Sequence, residues 1–233
     1  MDTKYTGETR YFNFPIAMIR QFLFDSDKCL NEILYYGVYS IAKDYDDELH
    51  GVEEACLYLN LTHPNQEILL KKSKRIYLEY SERRNVIVGI NTSIFWDYVS
   101  NPKDDFQKVT LLGFLAIKSI LQKKSYCKIT NAFFISRMAG FNGITESKYY
   151  SDYILPFIND YQLRKIKTEL QLGWKVVHYA KYTRGFYVSF TMSVDDLAYQ
   201  VEKKKLKTKK KQLSDKVESA HSKALVRLNN EVK

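Results

Sequence analysis

The chain has 233 residues, 45% hydrophobic and 15% aromatic, enough to bury a core in one large or two small domains and unlike a disordered polypeptide. Its formal charge of +9 is unevenly placed: residues 1–100 hold 11 basic and 15 acidic side chains (net −4), residues 101–200 hold 14 and 8 (net +6), and residues 201–233 hold 11 and 4 (net +7). No run approaches the roughly 18 apolar residues of a membrane span, and polar Met1 to Arg10 lacks the apolar stretch of a secretory signal, so a cytoplasmic protein away from membranes is expected.

The scarcity of Gly and Pro, beside abundant Tyr, Lys and Ile, predicts a mostly α-helical fold with limited sheet. Residues 1–101 read as an acidic helical module. Alternating aromatics open it at Tyr11, and a helix follows Pro15, whose missing N–H suits a first turn. Asp27 is the expected cap of a helix over Lys28 to Lys43, with Leu30, Ile33, Leu34, Val38 and Ile41 on one face. The acidic run Asp44, Asp46, Asp47 and Glu48 ends it. Helices are expected over Val52 to Leu59 and from beyond Pro64 to about Arg84. Val86 to Ile90 suits a strand or a buried turn, and Thr92 suits the cap of a brief helix holding Phe95 and Trp96. The Asn101-Pro102 pair marks the expected domain boundary.

Residues 102–194 form the second expected domain. Asp104 or Asp105 caps a helix whose apolar face (Val109, Leu112, Leu115, Ile117, Ile120, Leu121) is the clearest in the chain. A short helix follows over Thr130 to Ala139, then a turn marked by Gly140 and Gly143. A third helix is expected near residues 145–155, because Thr145 precedes an acidic first turn, with Pro156 bending or restarting it toward Leu172. Trp174 to Tyr182 and Phe186 to Met192 read as a β-hairpin around Thr183-Arg184-Gly185. From Asp195 the chain reads as a basic C-terminal helix or tail, residues 195–233. Lys203 to Lys211 places seven lysines in nine positions, and Leu213, Val217, Ala220, Ala224 and Leu228 form a narrow stripe.

Three helices, a glycine-marked turn and a hairpin with a basic tip resemble the winged helix-turn-helix DNA-binding superfamily over about residues 104–192. The resemblance implies a recognition helix near residues 145–155 in the major groove, with Ser147, Lys148 and Ser151 near base edges. It places Lys181 and Arg184 on the wing, and Lys128, Arg137, Arg164, Lys165 and Lys167 against phosphates. Lys203, Lys204, Lys205, Lys207, Lys209, Lys210 and Lys211 add sequence-independent phosphate attraction. The expected function is therefore double-stranded DNA binding, as a transcriptional regulator or a replication initiator-like factor. Self-association would use residues 1–100 or the 213–228 stripe. The alternatives are a protein–protein adaptor with a solvated basic tail and an RNA-binding protein.

Catalysis is not expected. His50, His63, His178 and His221 form no metal-ligand pair, and phosphate-loop, nucleophile-elbow and dinucleotide signatures are missing. The isolated Cys29, Cys56 and Cys127 suit buried thiols rather than a disulfide framework or a zinc site, so no cofactor or metal is expected.

Overall fold

A computed structural model describes residues 10–63, 65–81, 85–180 and 185–231, with side chains described as far as Lys223. Within them the chain is mostly helical, with two small antiparallel sheets.

The first sheet pairs β1 (Tyr11–Pro15) with β2 (Ile87–Asn91), matching Phe12 to Ile90 and Phe14 to Val88. Period-2 alternation puts Phe12, Phe14, Val88 and Ile90 inside, while Tyr11 and Ile87 face out. A 3-10 segment, Ile16–Gln21, follows Pro15, and its Ile16, Met18 and Ile19 are buried. Between the two strands lie α1 (Ser26–Ala42), α2 (Glu48–Leu59) and α3 (Gln66–Ser81). The cap of α1 is Asp25 rather than Asp27: its carboxylate accepts from the Lys28 backbone N–H at 3.0 Å, and Asp27 sits in the first turn. Glu48 belongs to α2, extending that helix beyond the expected Val52 start, because Asp47 caps it. Likewise Asn91, not Thr92, caps α4 (Thr92–Ser100), accepting from the Ser93 N–H at 2.7 Å.

Asp104 and Gln107 form a reciprocal capping box at the start of α5 (Asp105–Leu121). This helix carries the core across the Asn101-Pro102 break. Leu111, Leu112 and Leu115 meet Phe14, Ile19, Phe22, Ile33, Ile90 and Phe95 around one small apolar void. The polar break therefore separates two helices in sequence, while a single apolar cluster extends on both sides of it.

The second sheet has the order β3–β5–β4, formed by β3 (Cys127–Ile129), β4 (Val177–Tyr179) and β5 (Phe186–Ser189). The expected hairpin is present as β4 and β5, and β3 adds an edge strand where the sequence suggests only a link. Gly185 enters β5 at φ +103°, and a Cβ there would lie 2.2 Å from the Ile129 carbonyl oxygen. Glycine is the residue that allows this approach. Between β3 and β4 lie α6 (Asn131–Met138), capped by Thr130, and α7 (Asp160–Leu172), capped by Asn159.

The expected helix near residues 145–155 is not formed. Short 3-10 turns occupy Ser147–Tyr149 and Leu155–Phe157, joined by irregular backbone. Two causes are visible. Pro156 has no backbone N–H to donate to the carbonyl four residues earlier, so an α-helix does not propagate through it. Thr145, the expected cap, is engaged elsewhere: its N–H donates to Ser136 Oγ and its carbonyl accepts from Tyr150 Oη at 2.8 Å. Finally α8 (Val194–Glu231) runs for 38 residues; Leu197 and Val201 anchor its root against β4 and β5, and residues 206–223 are exposed.

Candidate nucleic-acid interface

The exposed face of α7 follows from its own periodicity. Leu163, Ile166 and Leu170, spaced i, i+3 and i+7, are buried, and Ile166 and Leu170 close on Gly113 of α5. The opposite face presents Tyr161, Arg164, Lys165 and Thr168 at i, i+3, i+4 and i+7, all exposed. Arg164 forms no ion pair with any described residue. The Lys165 ammonium stands 5.2 Å from the Phe106 ring and 5.7 Å from that of Tyr161, so aromatic faces steady a charge that still meets solvent. Charge and motif reasoning on the sequence misses Tyr161 and Thr168. The signal that finds them is the polar stripe opposite Leu163, Ile166 and Leu170.

Several expected phosphate contacts are engaged internally instead. Arg137 is only 3% exposed; one guanidinium nitrogen donates to the Asn142 carbonyl at 2.9 Å, and the group lies 5.1 Å from the Phe133 ring. Its Nε and Nη1 are buried without a hydrogen-bond partner, and burial holds its proton affinity below the ordinary arginine range. It therefore offers no surface to a phosphate, which corrects the expectation. Lys167 is half-buried; its ammonium donates to Asn131 Oδ1 at 2.8 Å and lies 4.0 Å from the Phe186 ring centre. Burial lowers its pKa, and the side chain ties α7 to the first turn of α6 and to β5. Lys118, also half-buried and shifted downward by burial, stands over Tyr11 at 4.5 Å. Part of the positive charge of residues 101–200 is thus spent inside the molecule.

The remaining expected residues are scattered. Ser147 and Lys148 are exposed on the α6–α7 connection, where Lys148 pairs with Glu146 at 2.7 Å. Ser151 lines a small void with Ile19, Leu23 and Ile154. Lys128 is exposed on β3, opposite Tyr187, at the other edge of the sheet from β4. Lys181 and Arg184 lie outside the described residues. On α8, the Lys203 ammonium stands 5.6 Å from the Tyr199 ring, and Lys205 approaches Glu202 at 3.8 Å. Lys204, Lys207, Lys209, Lys210 and Lys211 are exposed. β4 touches both α7 and the root of the lysine-rich α8. Tyr179 Oη on β4 donates to Glu202 at 3.0 Å and fixes that root.

No family model, curated protein or solved structure matches the chain. Among the described residues no group of His, Cys, Asp and Glu could hold a metal ion, and no helix is long and apolar enough to cross a membrane. Burial pushes the thiols of Cys29, Cys56 and Cys127 upward, away from the reactive thiolate.

Proposed function

We propose that residues 105–189 act as a winged-helix-like DNA-binding unit, in a transcriptional regulator or a replication initiator-like factor, with α7 as the recognition helix. The observation that carries this reading is the element order α5–β3–α6–α7–β4–β5 with sheet order β3–β5–β4, which leaves Tyr161, Arg164, Lys165 and Thr168 on a free helical face. An α-helix fits the major groove, where Arg164 can read guanine in bidentate fashion and Thr168 a thymine methyl or a base edge. The paired strands β4 and β5 serve as the wing, and Lys203 to Lys211 extend the phosphate contacts. The likeness lies in order and sheet rather than in the turn. Residues 139–159 separate α6 from α7, whereas a helix-turn-helix joins its helices by about 3–4 residues.

The test is fluorescence anisotropy with a duplex library selected on the full chain. Arg164→Ala with Lys165→Ala should lower affinity at least tenfold while leaving the melting temperature unchanged. Retained parental affinity would sink the α7 assignment. An adaptor reading is favoured by one observation: Phe24 (62% exposed) meets Tyr153 (49% exposed), with ring centroids 5.1 Å apart. A partner bound through that aromatic pair would be retained at high salt, whereas binding through phosphates would weaken steeply.

A further inference from the structure

We infer that the groove between α1 and α3 is a second phosphate-binding surface, holding the backbone of the same nucleic acid away from α7. The inference rests on the nucleic-acid reading above. The groove has a volume of about 500 Å³, and its polar lining is Lys28, Asn31, Glu32, Tyr35, Lys72 and Arg75. Three cations therefore face one carboxylate, inside a segment whose net charge is negative.

The cations of α3 are divided between two tasks. Lys74 turns toward α2, pairs with Glu48 at 2.7 Å, and lies 5.7 Å from the Tyr39 ring. Lys72 and Arg75, three residues apart on the outer face, make no ion pair with any described residue. Like charges at that spacing repel, and an anion placed between them relieves the repulsion. Lys72 is exposed and lies 5.9 Å from the Tyr35 ring of α1, which places its ammonium at the rim of the groove. Lys28 and Glu32 on α1 are four residues apart without forming an ion pair, the weaker orientation for such a pair on a helix. The lining thus keeps a net positive charge, a guanidinium suited to bidentate phosphate contact, and an amide donor in Asn31.

An open-sided trough between two helices suits a polymer backbone laid along it better than an enclosed small molecule. Its extent is set by charge. Beyond Lys28 and Glu32 it passes into a second trough, where Asp25 and Glu79 join Arg20 and the carboxylates repel phosphate. The favourable track is therefore the end bounded by Lys28, Lys72 and Arg75.

The experiment uses the full chain and a fluorescent DNA duplex, with affinity measured across a salt series. Lys72→Gln with Arg75→Gln should weaken binding and reduce the slope of log K against log salt by roughly 0.9 for each phosphate no longer neutralised, about 2 for the pair. Glu32→Gln should tighten binding, because it removes the one opposing charge in the groove. A double variant that melts at the parental temperature yet keeps the parental slope overturns the inference, as does a Glu32→Gln variant that binds no more tightly. Arg164→Ala with Lys165→Ala is the separating control. If that pair abolishes binding while the groove variants do not alter it, only the groove assignment fails; if duplex binding is absent in the parent, the reading on which it rests fails. A groove pair that loses affinity for polyglutamate but not for DNA assigns the trough to an acidic protein and also overturns the inference.

Discussion

Two neighbours on one helix show how much context decides. Arg164 and Lys167 have the same sign and similar length, yet Lys167 is drawn inward by Asn131 and the face of Phe186, while Arg164 remains in solvent. Replacing Lys167 by Ala should cost about 1–2 kcal/mol in urea unfolding, since it removes a charge-assisted hydrogen bond and a cation–π interaction at a partly buried position. Arg164→Ala should change stability by less than about 0.5 kcal/mol, the usual range for a surface site. His178 provides a pH readout of the same region. Its pKa is held below the ordinary 6.5, first by burial and second by the nearby Lys167 charge. The folded state thus binds fewer protons at this site than the unfolded state does. The resulting stabilisation is complete above about 6.5 and is lost as pH falls through the lowered folded value. Thermal melts between pH 7.5 and 5 should show a steeper acid loss in the parent than in His178→Gln; parallel curves would remove His178 from the account.

Elements whose ends are closed by their own side chains are legible in the sequence. The capping box at Asp104 and Gln107 and the Thr130 cap are local, so the starts of α5 and α6 follow from a few adjacent residues. The connection from 139 to 159 is not legible in the same way. Thr145 and the acidic turn after it imitate a helix start, and the competing partners, Ser136 and Tyr150, act through the folded loop. Between α6 and β4 the helix with an exposed basic face is consequently α7, one element later than local patterns suggest. The strand β3 escapes sequence reasoning because three residues carry no usable periodicity and gain their hydrogen bonds from β5, far later in the chain. That pairing also makes Gly185 demanding. Gly185→Ala would combine a φ of +103° with a Cβ 2.2 Å from the Ile129 oxygen. We expect a loss of at least about 2 kcal/mol and a disturbed β3–β5 pairing. The measurement is denaturant unfolding with amide exchange at Val188 and Lys128; parental stability would show that the hairpin can shift to make room.

Over the whole molecule, charge and core are arranged on different plans. The apolar cluster crosses Asn101-Pro102 because α5 presents Leu111, Leu112 and Leu115 to Phe14, Phe95 and Ile90, whereas the charge changes sign along the sequence. Among the described side chains between Glu202 and Lys223, α8 contributes almost nothing to that core: Leu206, Leu213 and Val217 are all at least 60% exposed. A chain ending at Glu202 should therefore melt within about 2 °C of the parent, since removing exposed residues changes ΔG little. Its salt slope for duplex binding should fall, by up to roughly 6 if all seven lysines meet phosphate. A large drop in melting temperature would show that the distal helix packs on the body. Of the 213–228 stripe, Leu213 and Val217 are exposed, while the side chains of Ala224 and Leu228 lie outside the described residues. By itself the sequence determined the helical character, the Asp104 cap of α5, the hairpin strands and the basic distal helix, because hydrogen bonds and periodicity within a few residues govern them. Only the tertiary structure decided which cations are internal, which helix offers a free polar face, and that one core spans the break. Those outcomes depend on partners tens of residues away, whose positions no local pattern encodes.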